Sequence, residues 1–279
     1  MNIHPISIPG KILVNREVVN GHFLMRIQLP AAFPQPHPGQ FVMIRNRESK
    51  VPLLARPMSI YAFERDPDSV FLEIFYRIAG EGTGALSLLK SGNEVVILGP
   101  LGKGFTVDAS RRHAILISGG IGISPLTFLA AHLNDFRKDY SLEITAYIGA
   151  RHAGVLAGVE KLSSFCSDIR ICTDDGSAGY SCTVTDLFEP ELTRYNAKDS
   201  IIYTCGPQGM MKRLAELLEK HPLPCQVSVE ERMACGLGAC LGCAVPVRTL
   251  SGDAVYRRVC KDGPVFDIRD MVWSSLLRD

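Results

Sequence analysis

No stretch of this sequence is both long and apolar enough to cross a bilayer uninterrupted. The most apolar segment, residues 114–133, is broken by Gly119, Gly120, Gly122 and Pro125, which suits a strand–turn–helix better than a membrane span. The N-terminal MNIHPISIPGKILVNREVV lacks the apolar core and small-residue cleavage site of a secretory signal, so a cytoplasmic location is expected. Neither sign of charge dominates: 30 Lys and Arg face 29 Asp and Glu, a formal net charge of +1, and no basic stripe is present. That balance argues against nucleic-acid binding, which needs a basic footprint. Internal repeats and low-complexity tracts are absent too. With 46% hydrophobic and 21% charged residues, the composition excludes a disordered chain.

What is present falls into three textures, and 279 residues at roughly 100–200 per domain allow about two domains and a small third. Segments 11–19, 23–29, 40–45, 59–63, 70–78 and 94–98 are short, rich in Val, Ile, Phe and Tyr, and separated by Gly, Pro, Asn and Asp. Close-spaced short strands of this kind predict an antiparallel barrel or sandwich. One short helix is expected at 84–89, after the GEGTG turn. Beyond residue 106 the pattern changes. HAILIS at 113–118 is a continuous apolar run, as in a strand buried on both faces. Ser124 then suits an N-cap and Pro125 a first helical position. Leu126, Leu129, Ala130 and Leu133 recur at helical spacing. Further strands at 142–148, 169–173 and 200–204 alternate with helices near 155–165 and 210–220, which predicts a parallel α/β sheet. The expected divisions are 1–107, 108–225 and 226–279.

Nine cysteines in a cytosolic chain argue for metal or redox chemistry rather than disulfides. Cys166, Cys172, Cys182, Cys205 and Cys225 are scattered. Cys235, Cys240, Cys243 and Cys260 fall in one short stretch with C-x4-C-x2-C…C spacing. That spacing matches plant-type [2Fe–2S] ligation. Gly236, Gly238 and Gly242, with Ala234, Ala239 and Ala244, let backbone wrap closely around four converging thiolates. A zinc site or a set of buried thiols is the competing reading, although zinc sites favour two short CxxC-like knuckles. The last fifty or so residues would be marginal without such a staple.

Two further constellations suggest nucleotides. Arg56-Pro57-Met58-Ser59 offers a cation for a diphosphate, a stiff turn and a hydroxyl for a flavin edge. Phe75-Tyr76-Arg77 and Gly82-Thr83 in the GEGTG turn follow it, the turn entering a helix as an anion cradle. Ser118-Gly119-Gly120-Ile121-Gly122 lies between a buried strand and a helix, where a dinucleotide diphosphate can approach the backbone. It lacks the third Gly of the strict fingerprint. Cys205-Gly206-Pro207 ends a second apolar strand, so Cys205 either faces a nicotinamide or is a small buried hydrophobe. Gly149-Ala150-Arg151 and Asp174-Asp175-Gly176 also fall at strand ends as candidate contacts to ribose or adenine, although no 2′-phosphate Arg or ribose carboxylate is assignable from them.

The order RPMS, GEGTG, GGIGISP and CGP resembles the ferredoxin-reductase superfamily. The tail EERMACGLGACLGCAVPV with VCKDGPVF closely resembles the electron-transfer subunits of two-subunit, NAD-dependent dihydroorotate dehydrogenases, and the likeness covers essentially the whole chain. The resemblance implies FAD on a β-barrel, held by Arg56 to Ser59, Phe75 to Arg77, Gly82 and Thr83. It implies NAD on the α/β domain and a [2Fe–2S] cluster on Cys235, Cys240, Cys243 and Cys260. It also implies a separate FMN-containing catalytic subunit that oxidises dihydroorotate to orotate in pyrimidine biosynthesis, in a heterotetramer of two subunits of each kind. No general acid or base is expected in this chain. In the wider superfamily a Tyr often stands where this chain has Met58. The competing assignment is a flavin and iron–sulfur NAD(P)H reductase subunit of another complex, such as a ferredoxin-dependent transhydrogenase or a hydrogenase.

Overall fold

A computed structural model of the chain describes residues 5–49, 51–108, 110–136, 142–249 and 251–275. The N-terminal part is one antiparallel sheet of seven strands: β1 (Ile6–Val19), β2 (His22–Pro30), β3 (Phe41–Asn46), β4 (Arg56–Ser59), β5 (Ala62–Arg65), β6 (Ser69–Arg77) and β7 (Glu94–Leu101). Their order is β4-β3-β7-β1-β2-β6-β5. The edge strands β4 and β5 are consecutive in the chain, so the sheet curls back on itself. Ile12, Met25, Ile27, Leu29, Val42, Ile44, Leu72 and Ile74 fill its interior, the inward half of the period-2 pattern.

The single strand expected over 59–63 is two. At the break, the Ile60 N–H donates to Gln40 and the Tyr61 N–H donates to Glu73. The chain leaves one edge of the curled sheet and joins the other there, with both side chains buried. The helix expected at 84–89 also begins earlier, as α1 (Glu81–Ser87). The Thr83 hydroxyl accepts the N–H groups of Ala79 and Gly80 and ties down the first turn.

The second sheet is built on β8 (His113–Gly119), α2 (Ile123–Phe136), β9 (Glu143–Ala150), α3 (Val159–Ser163), β10 (Asp168–Thr173), β11 (Tyr180–Ser181), α4 (Val184–Phe188), β12 (Ser200–Cys205), α5 (Gln208–Lys220) and β13 (Cys225–Ser228). The strand order is β11-β10-β9-β8-β12-β13, all parallel, as the βα alternation predicts. The order reverses between β8 and β12, whose carboxyl ends therefore flank the crevice where ligands sit in such sheets. Every residue of β12 is buried, in keeping with a strand covered on both faces. The helix expected over 155–165 shrinks to α3, because Gly158 takes a left-handed φ of +77° and starts it late.

Ser124 is not an N-cap. A 3-10 turn over Gly120–Gly122 leads directly into α2, so Ser124 lies inside the first turn. Its Oγ is buried and has no hydrogen-bond partner.

The C-terminal segment forms a hairpin, β14 (Ala244–Arg248) with β15 (Ala254–Arg258), and a last strand, β16 (Val265–Asp267). β16 runs antiparallel beside β13 and extends the second sheet. β13 itself spans the division expected after residue 225.

Candidate functional site

A cleft of about 620 Å³ opens between the three parts of the chain. From the curled sheet it takes all of Arg56-Pro57-Met58-Ser59, all of Phe75-Tyr76-Arg77, and Thr83. From the parallel sheet it takes Ile121, Ser124 and Gln208, and from the C-terminal segment Ser228 to Met233 and Pro264. The two stretches expected from the sequence to hold a flavin meet because β4 and β6 approach each other across the joined edges of the sheet.

Arg56 lies flat against Gly82. A Cβ on Gly82 would stand 1.7 Å from the Arg56 Nε, so only glycine leaves the guanidinium its place. The Tyr76 hydroxyl donates to Asn15 Oδ1 at 3.0 Å. Asn15 Nδ2 donates in turn to the carbonyls of Leu86 and Leu89, so one half-buried amide fastens the end of α1 to the wall of the cleft. Burial pushes the Tyr76 hydroxyl up to about 12 and keeps it a neutral donor. Met58 packs into the interior of the sheet while still bordering the cleft. Gly82→Ala is expected to displace the Arg56 guanidinium and, with Arg56 as the sequence-expected partner of a flavin diphosphate, to weaken flavin binding by about tenfold or more, the loss of one charge-assisted contact. Flavin absorbance per purified chain measures it.

On the opposite wall, the two Gly turns touch backbone to backbone. A Cβ on Gly122 would lie 2.1 Å from the Cys205 carbonyl oxygen, and one on Gly206 would lie 2.9 Å from the Gly119 nitrogen. Gly119, Gly122 and Gly206 therefore bring the carboxyl ends of β8 and β12 together. Gly120, with φ +53°, has open space beside it. Pro207 follows at the start of α5. Cys205 is 1% exposed, and burial drives its thiol well above the ordinary range. It is a neutral thiol under the Gly turn, with Ser228 as its side-chain partner.

Sequence reasoning missed the C-terminal contribution to the cleft. Glu230 is open to solvent but ringed by protein, and that enclosure raises its carboxyl above the ordinary range, with the Arg77 charge opposing. Nothing local marks Ser228 or Glu230. They reach the cleft because β13 ends there, beside β12. Gln208 and Ser124 were hidden for the same reason: the folded turn, not the motif, aims them.

The four clustered cysteines converge as two pairs. The Cys240 N–H points to the Cys235 thiol and, with the Leu237 and Ala239 N–H groups, pulls that thiol down to about 6. The Cys260 N–H donates to Cys243 Sγ at 3.5 Å. Burial and the neighbouring Cys243 push Cys260 up to about 12. Cys240 is exposed, whereas Cys243 and Cys260 are each 2% exposed. Gly236 and Gly238 have φ of +70° and +80°, and a Cβ on Gly236 would strike Met43 Cγ at 2.6 Å. Arg258 holds the loop from below, donating to the Gly238 carbonyl while paired with Asp262 at 3.0 Å. Among the described residues no three His, Cys, Asp or Glu form a single-ion site. Two thiol pairs with backbone N–H groups aimed at sulfur fit a two-iron, sulfide-bridged cluster, which needs two thiolates per iron and donors around its sulfurs.

A curled antiparallel sheet set against a parallel sheet over a shared cleft is the architecture of the ferredoxin-reductase class. A solved NADH-dependent reduced ferredoxin-NADP oxidoreductase superimposes with TM-score 0.80 over 96% of this chain and 91% of its own, at 28% identity. A ferredoxin NADP+ reductase from Neisseria gonorrhoeae, solved with bound FAD and NADP, matches with TM-score 0.64 over 77% and 91%, at 15% identity. The family described as the iron-sulfur cluster binding domain of dihydroorotate dehydrogenase B matches residues 230–272. The electron transfer subunit of dihydroorotate dehydrogenase B (NAD(+)) from Desulforamulus reducens is 37% identical over 95% of this chain and 97% of its own length. The subunit of the same name from Caldanaerobacter subterraneus is 37% identical over 93% and 96%. The chain belongs to this family of dihydroorotate dehydrogenase B electron transfer subunits.

Proposed function

We propose that this chain carries electrons between NAD(H) and the catalytic subunit of an NAD-dependent dihydroorotate dehydrogenase in pyrimidine biosynthesis. The observation that carries the reading is the continuity of the thiol loop with the cleft: Met233 lines the cleft two residues before Cys235, and Gly236 packs on Met43 of β3. In this reading the regions 1–107, 108–225 and 226–279 serve FAD, NAD and [2Fe–2S] respectively. A bound FAD would supply both hydride exchange with NAD(H) and one-electron exchange with the cluster, so its site belongs between theirs. Arg56, backed by Gly82, offers the cation for the FAD diphosphate. Ser59, Phe75, Tyr76, Arg77 and Thr83 line the same cleft and would hold the rest of the flavin. The turn at Gly119, Gly120 and Gly122, facing Cys205, Gly206 and Pro207, receives the dinucleotide. Cys235, Cys240, Cys243 and Cys260 hold the cluster.

The test is activity of the chain alone. It is expected to oxidise NADH with an artificial acceptor and to leave dihydroorotate untouched. Dihydroorotate oxidation without a partner would contradict the assignment. A second reading, a subunit of a ferredoxin-dependent transhydrogenase, draws on the 0.80 TM-score match. Purification with a ferredoxin-linked partner in place of a dihydroorotate-oxidising one would favour it.

Among the described residues no helix is long and apolar enough to cross a membrane, and we place the complex in the cytoplasm. We infer a heterotetramer of two chains of each kind, with an FMN-bearing catalytic subunit docked over the thiol loop. Leu237 and Leu241 flank exposed Cys240 at 50% and 62% exposure. At that exposure, covering each would contribute about half of a full leucine's burial, roughly 1–1.5 kcal/mol. Leu241→Glu should therefore weaken assembly by about 10-fold or more while leaving NADH oxidation by the chain alone unchanged, a difference that titration calorimetry and dye reduction separate.

A further inference from the structure

An ion pair joins the curled sheet to the parallel one at the back of the flavin wall. Glu73, on β6, is buried at 8% exposure. Its Oε1 accepts from Arg26 of β2 at 2.8 Å, and its Oε2 accepts from Lys161 of α3 at 2.6 Å. Burial alone would raise the carboxyl; the two cations reverse this and hold it below the ordinary range. Lys161 Nζ also stands 4.8 Å from the centroid of the Tyr61 ring, and Tyr61 packs on Phe75 at 5.4 Å. Phe75 lines the cleft two residues along the strand from Glu73.

The other end of α3 reaches the same wall. Its leading residue, Gly158, leaves room where a Cβ would lie 3.5 Å from Phe75 and 3.4 Å from Ile123. Ile123 opens α2 immediately after the Gly120–Gly122 turn. One short helix thus touches both the wall behind the flavin residues and the turn expected to receive the dinucleotide. Lys161 is the charged fastener on that helix, half in solvent and outside the cleft lining.

We propose that Lys161 and Glu73 are positioning residues for hydride exchange: their ion pair clamps α3 across the two sheets and sets the approach of the Gly120 turn to the Phe75 wall. The inference rests on the functional reading above. Its energetic logic is that a small displacement of reacting partners costs far more rate than binding, because alignment rather than contact is lost.

The test uses the complete chain with its flavin and cluster, mixed with NADH in a stopped-flow instrument. In Lys161→Met, flavin reduction at saturating NADH is expected to slow by about 10-fold or more, while the NADH dissociation constant changes by less than about 3-fold. FAD content and iron content should match the unsubstituted chain, and Lys161→Arg should restore at least about half the rate, since it keeps the charge. Glu73→Gln, which removes the carboxylate partner of Lys161 and leaves Arg26 to Glu64, should slow the step as well, and combining it with Lys161→Met should add little. An unchanged rate in Lys161→Met, or a slowing that merely tracks lost FAD, would overturn the clamp. Failure of the unsubstituted chain to pass electrons from NADH to its flavin would instead overturn the functional reading beneath it.

Discussion

Cys240→Ser is expected to abolish electron flow to the catalytic subunit, by about 100-fold or more, while NADH oxidation with a dye that accepts from flavin stays within about 3-fold. The separation follows from placement. Cys240 is exposed, whereas Arg56, Phe75 and Tyr76 sit on strands β4 and β6 of the curled sheet. Serine is nearly isosteric, so the fold should survive. Its oxygen is a harder and far less acidic ligand than a thiolate, so one iron loses a proper partner. Iron content and the visible bands above the flavin's own should fall together. Coupled turnover that survived loss of those bands would show that electrons leave the chain by another route.

The second large effect concerns Gly122. Its missing Cβ is what lets the chain press against the Cys205 carbonyl, 2.1 Å from where that carbon would sit. Both sides of the contact are backbone, so neither can rotate away. Gly122→Ala should cost about 3 kcal/mol or more of stability and separate the ends of β8 and β12. NADH-driven flavin reduction should drop by about 100-fold or more. Gly120→Ala is the informative control. That position has open space but φ +53°, so alanine there should cost only about 1–2 kcal/mol of backbone strain. Thermal melts and stopped-flow rates on the pair distinguish the two causes. Equal effects at both positions would mean that strain, not the backbone contact, governs the turn.

Much of this architecture was legible because it depends on local pattern. HAILIS announces a strand covered on both faces, and β8 is that strand, extended by one residue. The C-x4-C-x2-C…C spacing and the glycines around it announce a loop wrapped on thiols, and the left-handed φ values at Gly236 and Gly238 are its backbone expression. What escaped was set by distant partners. Residues 59–63 read as one strand because alternation does not say where a chain changes neighbours; the N–H groups of Ile60 and Tyr61 do, by turning to opposite edges. Ser124 read as a cap because Ser before Pro usually is one. Here the Gly120–Gly122 turn takes that role and leaves the hydroxyl facing the cleft. The residues 228–233 carry no signal of their own. They reach the cleft through the pairing of β13 with β12 on one side and β16 on the other, and β16 lies far from β12 in sequence.

The most direct test of the whole account is the visible spectrum and metal content of the purified protein. Four cysteines converging in two pairs beside the cleft that Arg56, Phe75 and Tyr76 line, in the proposed reading, predict a coloured protein with about two irons and one FAD per chain, bleaching when NADH is added. A colourless protein, or one holding zinc on those cysteines, would contradict it.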